Sequence, residues 1–267
     1  MYLKKRVYGQ NNSITFHSEE VMVRRFAAVC MIFLTGFVFT IGTSHAQSGK
    51  VVDLSHVFQP GMESRTFDIE TFGADGVEPA DQLVQGYWYV MHNVTLHNHN
   101  CTHIEFPYHI SERGDDCASF PLDRLCGDAV VLDLRDIPAK SFITAAQMEK
   151  AAQKAGGIKN GDIVLCNLGY AEHYRTEKYS EAPQFSTESI KFLVDAGMKM
   201  MGVDATGVEI SGGAHNVNHH ALLDNNIALI ENLAGLNKLS KSRIQVYAFP
   251  IAVEGLDSFP VRVVGIE

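Results

Sequence analysis

A chain of 267 residues that is 46% hydrophobic and 20% charged is long enough for one sizeable domain with a true core, and excludes disorder, collagen and repeat arrays. Its 22 basic and 31 acidic residues give a net charge of −9, which excludes a polyanion partner, because nucleic acid and anionic lipid are held by basic patches.

Residues 1–21 read as an over-extended start, since Met22 stands two residues before Arg24 and Arg25. Those arginines, the apolar run from Phe26 to Gly42 and the sequence Ser44-His45-Ala46 make 22–46 a secretory signal peptide. The run is short for a bilayer span of about 20 residues, so cleavage after Ala46 is preferred to a retained anchor. Export implies a periplasmic or secreted protein with no membrane attachment after cleavage, and residues 47–267 as its single domain. Removing 1–46 takes away five basic and two acidic residues, leaving 17 against 29 and a net charge of −12. Cys30 leaves with the leader, while Cys101, Cys117, Cys126 and Cys166 stay, and Cys117 with Cys126 are close enough in sequence to be considered as a disulfide.

Along the mature chain, residues 50–54 predict a short strand and Gln59–Met62 a turn. Residues 85–96, rich in aromatic and β-branched side chains, predict a strand, and Asp128–Leu134 predicts another after Gly127. Helical spacing covers 143–155, with Thr144 as its cap. A buried strand follows at 163–166, then a helix over 186–196 beginning near Thr187, then a strand over 198–204. Strands alternating with helices define an α/β domain.

The histidines are clustered. His92, His97, His99, His103 and His109 fall within eighteen positions, and His215, His219 and His220 form a second group. In the first, His99, Cys101, His103, Glu105 and His109 share one parity, so on a strand they face one side, and Pro107 argues against a helix. A straight strand would hold His99 and His103 about 13 Å apart, so one shared ion requires a bend, for which Asn98 and Asn100 are suited. Neutral imidazole with carboxylate suits zinc or manganese, and an open position on such an ion activates water. His219 and Glu231 are too far apart on one helix to share an ion. A short helix, a turn at Asp224–Asn226 and a strand over 227–230 could return Glu231 to His219.

The segment His99-Asn100-Cys101-Thr102-His103-Ile104-Glu105-Phe106-Pro107-Tyr108-His109 resembles the hallmark of the cyclase / kynurenine-formamidase-like metal hydrolases, His-x-Gly-Thr-His-x-Asp-x-Pro-x-His. Further landmarks are similar and in order: Asp53–His56, Pro60–Met62, Gly161–Leu165, Gly202–Glu209, the pair His219-His220 with Glu231, and Phe259–Val264. The resemblance implies a swivelling β/β/α domain, a homodimer or homotetramer, and a divalent cofactor, Zn2+ as one or two ions or Mn2+. It assigns His99, His103 and Glu105 as metal ligands, with Glu105 able to bridge two ions. His219 and Glu231 complete the second position, and His109 is the proton donor and acceptor. Glu105 stands where Asp is usual, Cys101 replaces Gly, and Asn167–Tyr170 replaces an Arg/Thr-Gly-Trp stretch near the substrate.

The resulting expectation is a metal-dependent hydrolase that cleaves a small amide, lactam or ester with metal-activated water and His109 as general acid and base. The alternative is a non-catalytic exported metal-binding protein with a drifted site. His56, His92 and His97 read as structural, His215 as surface, and His220 as supporting the site or facing substrate. Trp88 reads as core, with stacking on an aromatic substrate as the second reading. The segment Glu63–Leu83, whose composition predicts little regular structure, is the expected interface.

Overall fold

Apolar runs too short for helices and bounded by glycine or asparagine build one nine-stranded sheet in the computed structural model, which describes residues 49–267 apart from 77, 79–81, 85, 87 and 214. The expected leader and start, residues 1–46, lie outside the described residues, as do Gln85 and Tyr87. Thirteen strands are present among those described: β1 Val51–Asp53, β2 Phe67–Gly73, β3 Val90–Leu96, β4 His103–Glu105, β5 Cys126–Asp133, β6 Phe142–Ile143, β7 Ile163–Asn167, β8 Gln184–Phe185, β9 Met200–Val203, β10 Ala228–Glu231, β11 Arg243–Tyr247, β12 Ser258–Pro260 and β13 Val264–Ile266. The helices are α1 Ala145–Lys154, α2 Thr187–Asp195 and α3 Val217–Leu223. None of the described helices is long and apolar enough to cross a membrane.

The large sheet runs β1-β13-β11-β5-β7-β9-β10-β4-β12. Its centre, β5-β7-β9-β10, is parallel, and each step is made through one of the three helices. Parallel strands covered on both faces need continuous apolar runs, and Ile163–Asn167, Met200–Val203 and Ala228–Glu231 are buried throughout. Alternation then sorts side chains between two cores. Val164, Cys166 and Leu229 face the layer containing Met148, Ile190 and Leu193 of the helices. Ile163, Leu165, Ile104 and Ile230 face a second layer containing Phe106 and Leu125.

Local signals act as expected in most places. Thr144 caps α1 in a full capping box with Gln147. The helix α2 starts at Thr187 as expected, capped by Ser186, whose hydroxyl accepts from the Ser189 N–H. The short helix, the turn and the returning strand expected around residue 224 are α3 and β10.

Three expectations are corrected. Trp88 is 84% exposed rather than core, and among the described residues the strand expected from 85 spans Val90–Leu96. Cys117 and Cys126 are free thiols, and the Cys117 Sγ donates instead to the Ile251 carbonyl at 3.2 Å. The segment Glu63–Leu83, expected to lack regular structure, contains β2, which pairs with β3 over seven residues as a separate ribbon.

Candidate active site

The site stands where β4 and β10 run antiparallel, with His103 directly opposite Glu231 and Glu105 opposite Leu229. Ile104 and Ile230 turn into the second core layer, so by alternation His103, Glu105 and Glu231 share the other face. His219 comes from α3, which packs on β10 on that same side. The parity read in the sequence therefore holds for the strand itself. It does not extend to His99 and Cys101, because the chain bends ahead of β4. The residue that makes the bend is Cys101 at φ 56°, not Asn98 or Asn100. Glycine adopts this left-handed conformation without cost and a cysteine does so only where its surroundings hold it. Here the Asn232 amide donates to the Cys101 carbonyl at 2.8 Å, and the Asn100 side chain accepts from the Cys101 N–H at 3.1 Å.

The structure brings His99, His103, Glu105, His109, His219 and Glu231 together around one cavity of about 710 Å3. His103, Glu105, His219 and Glu231 are each no more than 8% exposed. Glu105 Oε1 lies 2.8 Å from His99 Nδ1 and 3.3 Å from His103 Nε2, while Oε2 lies 3.2 Å from His219 Nε2. Glu231 completes the ring at 3.5 Å from His103 Nε2 and 3.7 Å from His219 Nε2. Space for this carboxylate is left by Gly207, at φ 91°, where a Cβ would clash with Glu231 Oε1.

Three of these imidazoles are pinned from behind. His103 Nδ1–H donates to the Cys101 carbonyl at 3.0 Å, His219 Nδ1–H to Glu209 Oε1 at 2.9 Å, and His99 Nε2–H to Asp257 Oδ2 at 2.7 Å. Those acceptors have no proton to give, so unless protonated the opposite nitrogens of His103 and His219 face Glu105 and Glu231 as lone pairs, while His99 Nδ1 stands at hydrogen-bond distance from Glu105 Oε1. Lone pairs facing carboxylate oxygens across 3.2–3.7 Å call for a cation between them. Donors bound at about 2.0–2.1 Å to a tetrahedral ion lie about 3.3 Å from one another. Glu105 Oε2 is also buried without a hydrogen-bond partner. The residues fit a divalent ion.

Without an ion, protons fill the same role. Burial works to lower His99 and His219, but bonds to Asp257 and Glu105 raise His99 to about 9, and the Glu105 and Glu231 carboxylates beside it raise His219 to about 11. Burial works to raise Glu105, and the surrounding imidazoles hold it well below the usual carboxylate range. Metal ligation would displace such protons.

Sequence reasoning missed two functional residues, Asp257 and Glu209. Glu209 lies at the end of a noted landmark, and its Oε1 also accepts the His219 backbone N–H at 2.7 Å. Asp257 stands far along the chain, and its only sequence signal is its place just before the Phe259–Val264 landmark. It is the partner of His109 as well, at 2.7 Å from Nδ1. A nitrogen of His109 lies within 4.8 Å of donor atoms of Glu105 and His219.

Other expected residues fall elsewhere. His220 turns away from the site and pairs with Asp224 on the exposed side of α3, correcting its expected place near substrate. His215 is exposed at φ 68°. His92 is an exposed partner of Thr71 on the ribbon, and His97 contacts Arg65 and accepts the His99 N–H. Asn167–Tyr170 does not line the main cavity. The N–H groups of Leu168, Gly169 and Tyr170 donate to the buried Asp204 carboxylate. Burial nevertheless raises Asp204 to about 6. The cavity is also lined by Tyr174, whose hydroxyl donates to Glu63, and by Arg175, which pairs with Glu63.

The chain belongs to the Cyclase family, whose model, described as "Putative cyclase", matches residues 52–210. Kynurenine formamidase of Salinibacter ruber is 28% identical over 201 residues, covering 72% of this chain and 91% of the relative. The kynurenine formamidase of Erythrobacter litoralis is 25% identical over 204 residues, 76% of this chain and 88% of that one. In fold, the chain is similar to isatin hydrolase A from Labrenzia aggregata, with a TM-score of 0.69 at 19% identity, over 83% of this chain and 94% of the other. A mixed α/β single domain is thus the architecture it shares with solved members of the family.

Proposed function

We propose that this protein is a metal-dependent hydrolase of small molecules, cleaving a carbon–nitrogen bond other than a peptide bond in an amide or lactam, or the corresponding ester. The observation that carries this reading is the set of imidazoles pinned on one nitrogen and turned by the other toward Glu105 and Glu231. Kynurenine formamidases among the relatives and isatin hydrolases among the structural neighbours support the substrate class. Imidazole and carboxylate donors suit Zn2+ or Mn2+. Glu105, with an oxygen toward His99 and His103 and another toward His219, would serve one ion or two.

His99, His103, Glu105, His219 and Glu231 would hold the metal. When bound it supplies Lewis acidity, polarising a carbonyl and lowering the pKa of water. His109 Nδ1 is engaged by Asp257, which leaves Nε2 to take a proton from the attacking water and return it to the departing nitrogen or oxygen. The cavity of about 710 Å3 accommodates a substrate of the size of a bicyclic aromatic amide. The wall of Tyr174 and the Glu63–Arg175 pair positions that substrate and limits its entry.

The test is metal content and turnover measured together on formylkynurenine, isatin and a panel of aryl amides. Native protein should hold about one to two equivalents of zinc or manganese. His109→Ala should keep that metal and lose about 10²-fold or more in turnover. Unchanged turnover in His109→Ala would remove its proton-transfer role, and failure to take up metal would remove the hydrolase reading. The same proposal includes export, motivated by residues 22–46, and assembly as a homodimer or homotetramer, motivated by the family resemblance. N-terminal sequencing beginning at Gln47, and a light-scattering mass of two or four chains, are the expected results.

A further inference from the structure

One oxygen of Asp257 serves two histidines. Oδ2 lies 2.7 Å from His99 Nε2 and 2.7 Å from His109 Nδ1, and the two rings are 4.6 Å apart. The other oxygen, Oδ1, accepts from Asn98 Nδ2 at 2.6 Å. The backbone fixes this carboxylate in place. The Phe106 N–H donates to the Asp257 carbonyl at 2.9 Å, and the next residue, Ser258, begins β12 opposite Glu105 of β4.

An ionised carboxylate can only accept, so both ring nitrogens facing Oδ2 carry hydrogen. For His99 with a metal at Nδ1 this is the Nε2–H form; without one, Nδ1 faces the Glu105 carboxylate at 2.8 Å and is protonated as well. For His109 it is the opposite, Nδ1–H form, with Nε2 left for the cavity. A single oxygen thus selects different tautomers in two adjacent rings. We propose that Asp257 is a positioning residue that sets the tautomers of His99 and His109 together, turning the ligand nitrogen of one and the proton-accepting nitrogen of the other toward the same cavity. The catalytic value of this arrangement and the His99 tautomer, which needs a metal at Nδ1, rest on the hydrolase reading above; the His109 tautomer does not.

Asn98 makes the inference sharp. Its amide donates to Oδ1, so in Asp257→Asn the new carbonyl oxygen is held at Asn98 and the new NH2 group faces both histidines. That group donates, which demands lone pairs at His99 Nε2 and His109 Nδ1. Both tautomers invert. His99 then points an N–H at the metal position, and His109 points an N–H at the cavity where it should accept. Asn98→Asp in the same chain reverses the argument, because the carboxylate it introduces accepts from the NH2 and returns the carbonyl oxygen to the histidines.

The experiment is side-chain 15N spectroscopy of histidine-labelled, zinc-loaded protein, with His99→Gln and His109→Gln to assign the two rings. Wild type should show Nδ1–H for His109 and zinc-ligated Nδ1 with protonated Nε2 for His99. Asp257→Asn should show His109 inverted, and Asn98→Asp combined with Asp257→Asn should show it restored. With a hydrolysed substrate in hand, Asp257→Asn should lower kcat by about 100-fold with KM within about twofold, and the double variant should recover most of it. Nε2–H on His109 in wild type, or a spectrum indifferent to Asp257→Asn, would overturn the inference and leave the hydrolase reading standing. The expected tautomers without turnover of any substrate would do the reverse.

Discussion

The strands that carry the site and the ribbon beside it are built on opposite terms. Every residue of β4 and β10 is buried, and His103, Glu105 and Glu231 are held between paired backbones with apolar neighbours on the other face. In β2 and β3 no residue is buried, although seven pairs hold them together, and Ile69 and Val94, directly opposite each other, are 43% and 53% exposed. The two regions meet in the loop that carries His99. The His97 N–H donates to the Thr66 carbonyl at 2.9 Å, and Asn100 Nδ2 donates to the Arg65 carbonyl at 3.2 Å. Donor atoms must keep their places within fractions of an ångström, so they sit on strands that packing fixes. A two-stranded ribbon is marginal by itself and imposes little on its sequence. Chemistry belongs to the first region, and the freedom to vary belongs to the second.

The largest expected effect tests the rigid side of that contrast. Glu105 receives His99, His103 and His219 in a site where an uncompensated change finds no solvent to help it. Glu105→Gln keeps the volume and removes the charge. Bound metal should be lost, and hydrolysis should fall by more than about 100-fold, the upper end for residues one step further from an ion. Glu105→Asp, which restores the residue usual in the family motif, should retain both. Metal analysis beside initial rates checks this, and a Glu105→Gln protein that still holds stoichiometric metal would take Glu105 out of the ligand set.

The same contrast explains what the sequence shows and what it hides. His103, Glu105 and Glu231 can be placed because strand parity and a turn signal at Asp224–Asn226 are local properties. The central parallel strands announce themselves as apolar runs between glycines. Asp257 and Glu209 act on imidazoles 158 and 10 residues away, and no local period marks such a partner. The sequence points to asparagine neighbours for the bend at Cys101, because their own tolerance of left-handed geometry is a local property. The Asn232 bond that holds Cys101 there comes from 131 residues on. Trp88 misleads for another reason: an aromatic beside β-branched residues resembles a core strand, but Trp88 stands ahead of the ribbon and is exposed.

A middle-sized effect lies where the frame meets the loops. His56 stacks on Tyr174 with ring centroids 4.1 Å apart. Burial first, and then the Arg175 charge, lower it from 6.5 to about 4. A depressed folded value favours the neutral ring, so its contribution to stability is complete above pH 6.5 and is lost as pH falls through 4. At 1.36 kcal/mol per unit the whole shift would be worth about 3 kcal/mol. Solvent reaches part of the ring, and screening reduces the expected value to about 1 kcal/mol. In urea titrations of metal-free protein, wild type should lose about 1 kcal/mol more than His56→Phe between pH 7 and pH 4.5. Equal losses in both would mean that His56 is not what couples this contact to pH.

The smallest effect is expected on the ribbon, and its smallness is informative. Replacing both Ile69 and Val94 with Thr removes an exposed cross-strand apolar pair while keeping two residues that favour strands. Surface changes of this kind usually move stability by no more than about 0.5 kcal/mol. The site residues are unaltered, so metal content and turnover per chain should match wild type. Urea midpoints at two protein concentrations differing by about 100-fold provide the check, because a face covered by a partner responds to dilution and a face in water does not. A loss above about 1 kcal/mol that grows on dilution would mean that the ribbon is part of the folded core of an assembly. The contrast would then be between two buried regions, one closed within the chain and one closed only by a second copy.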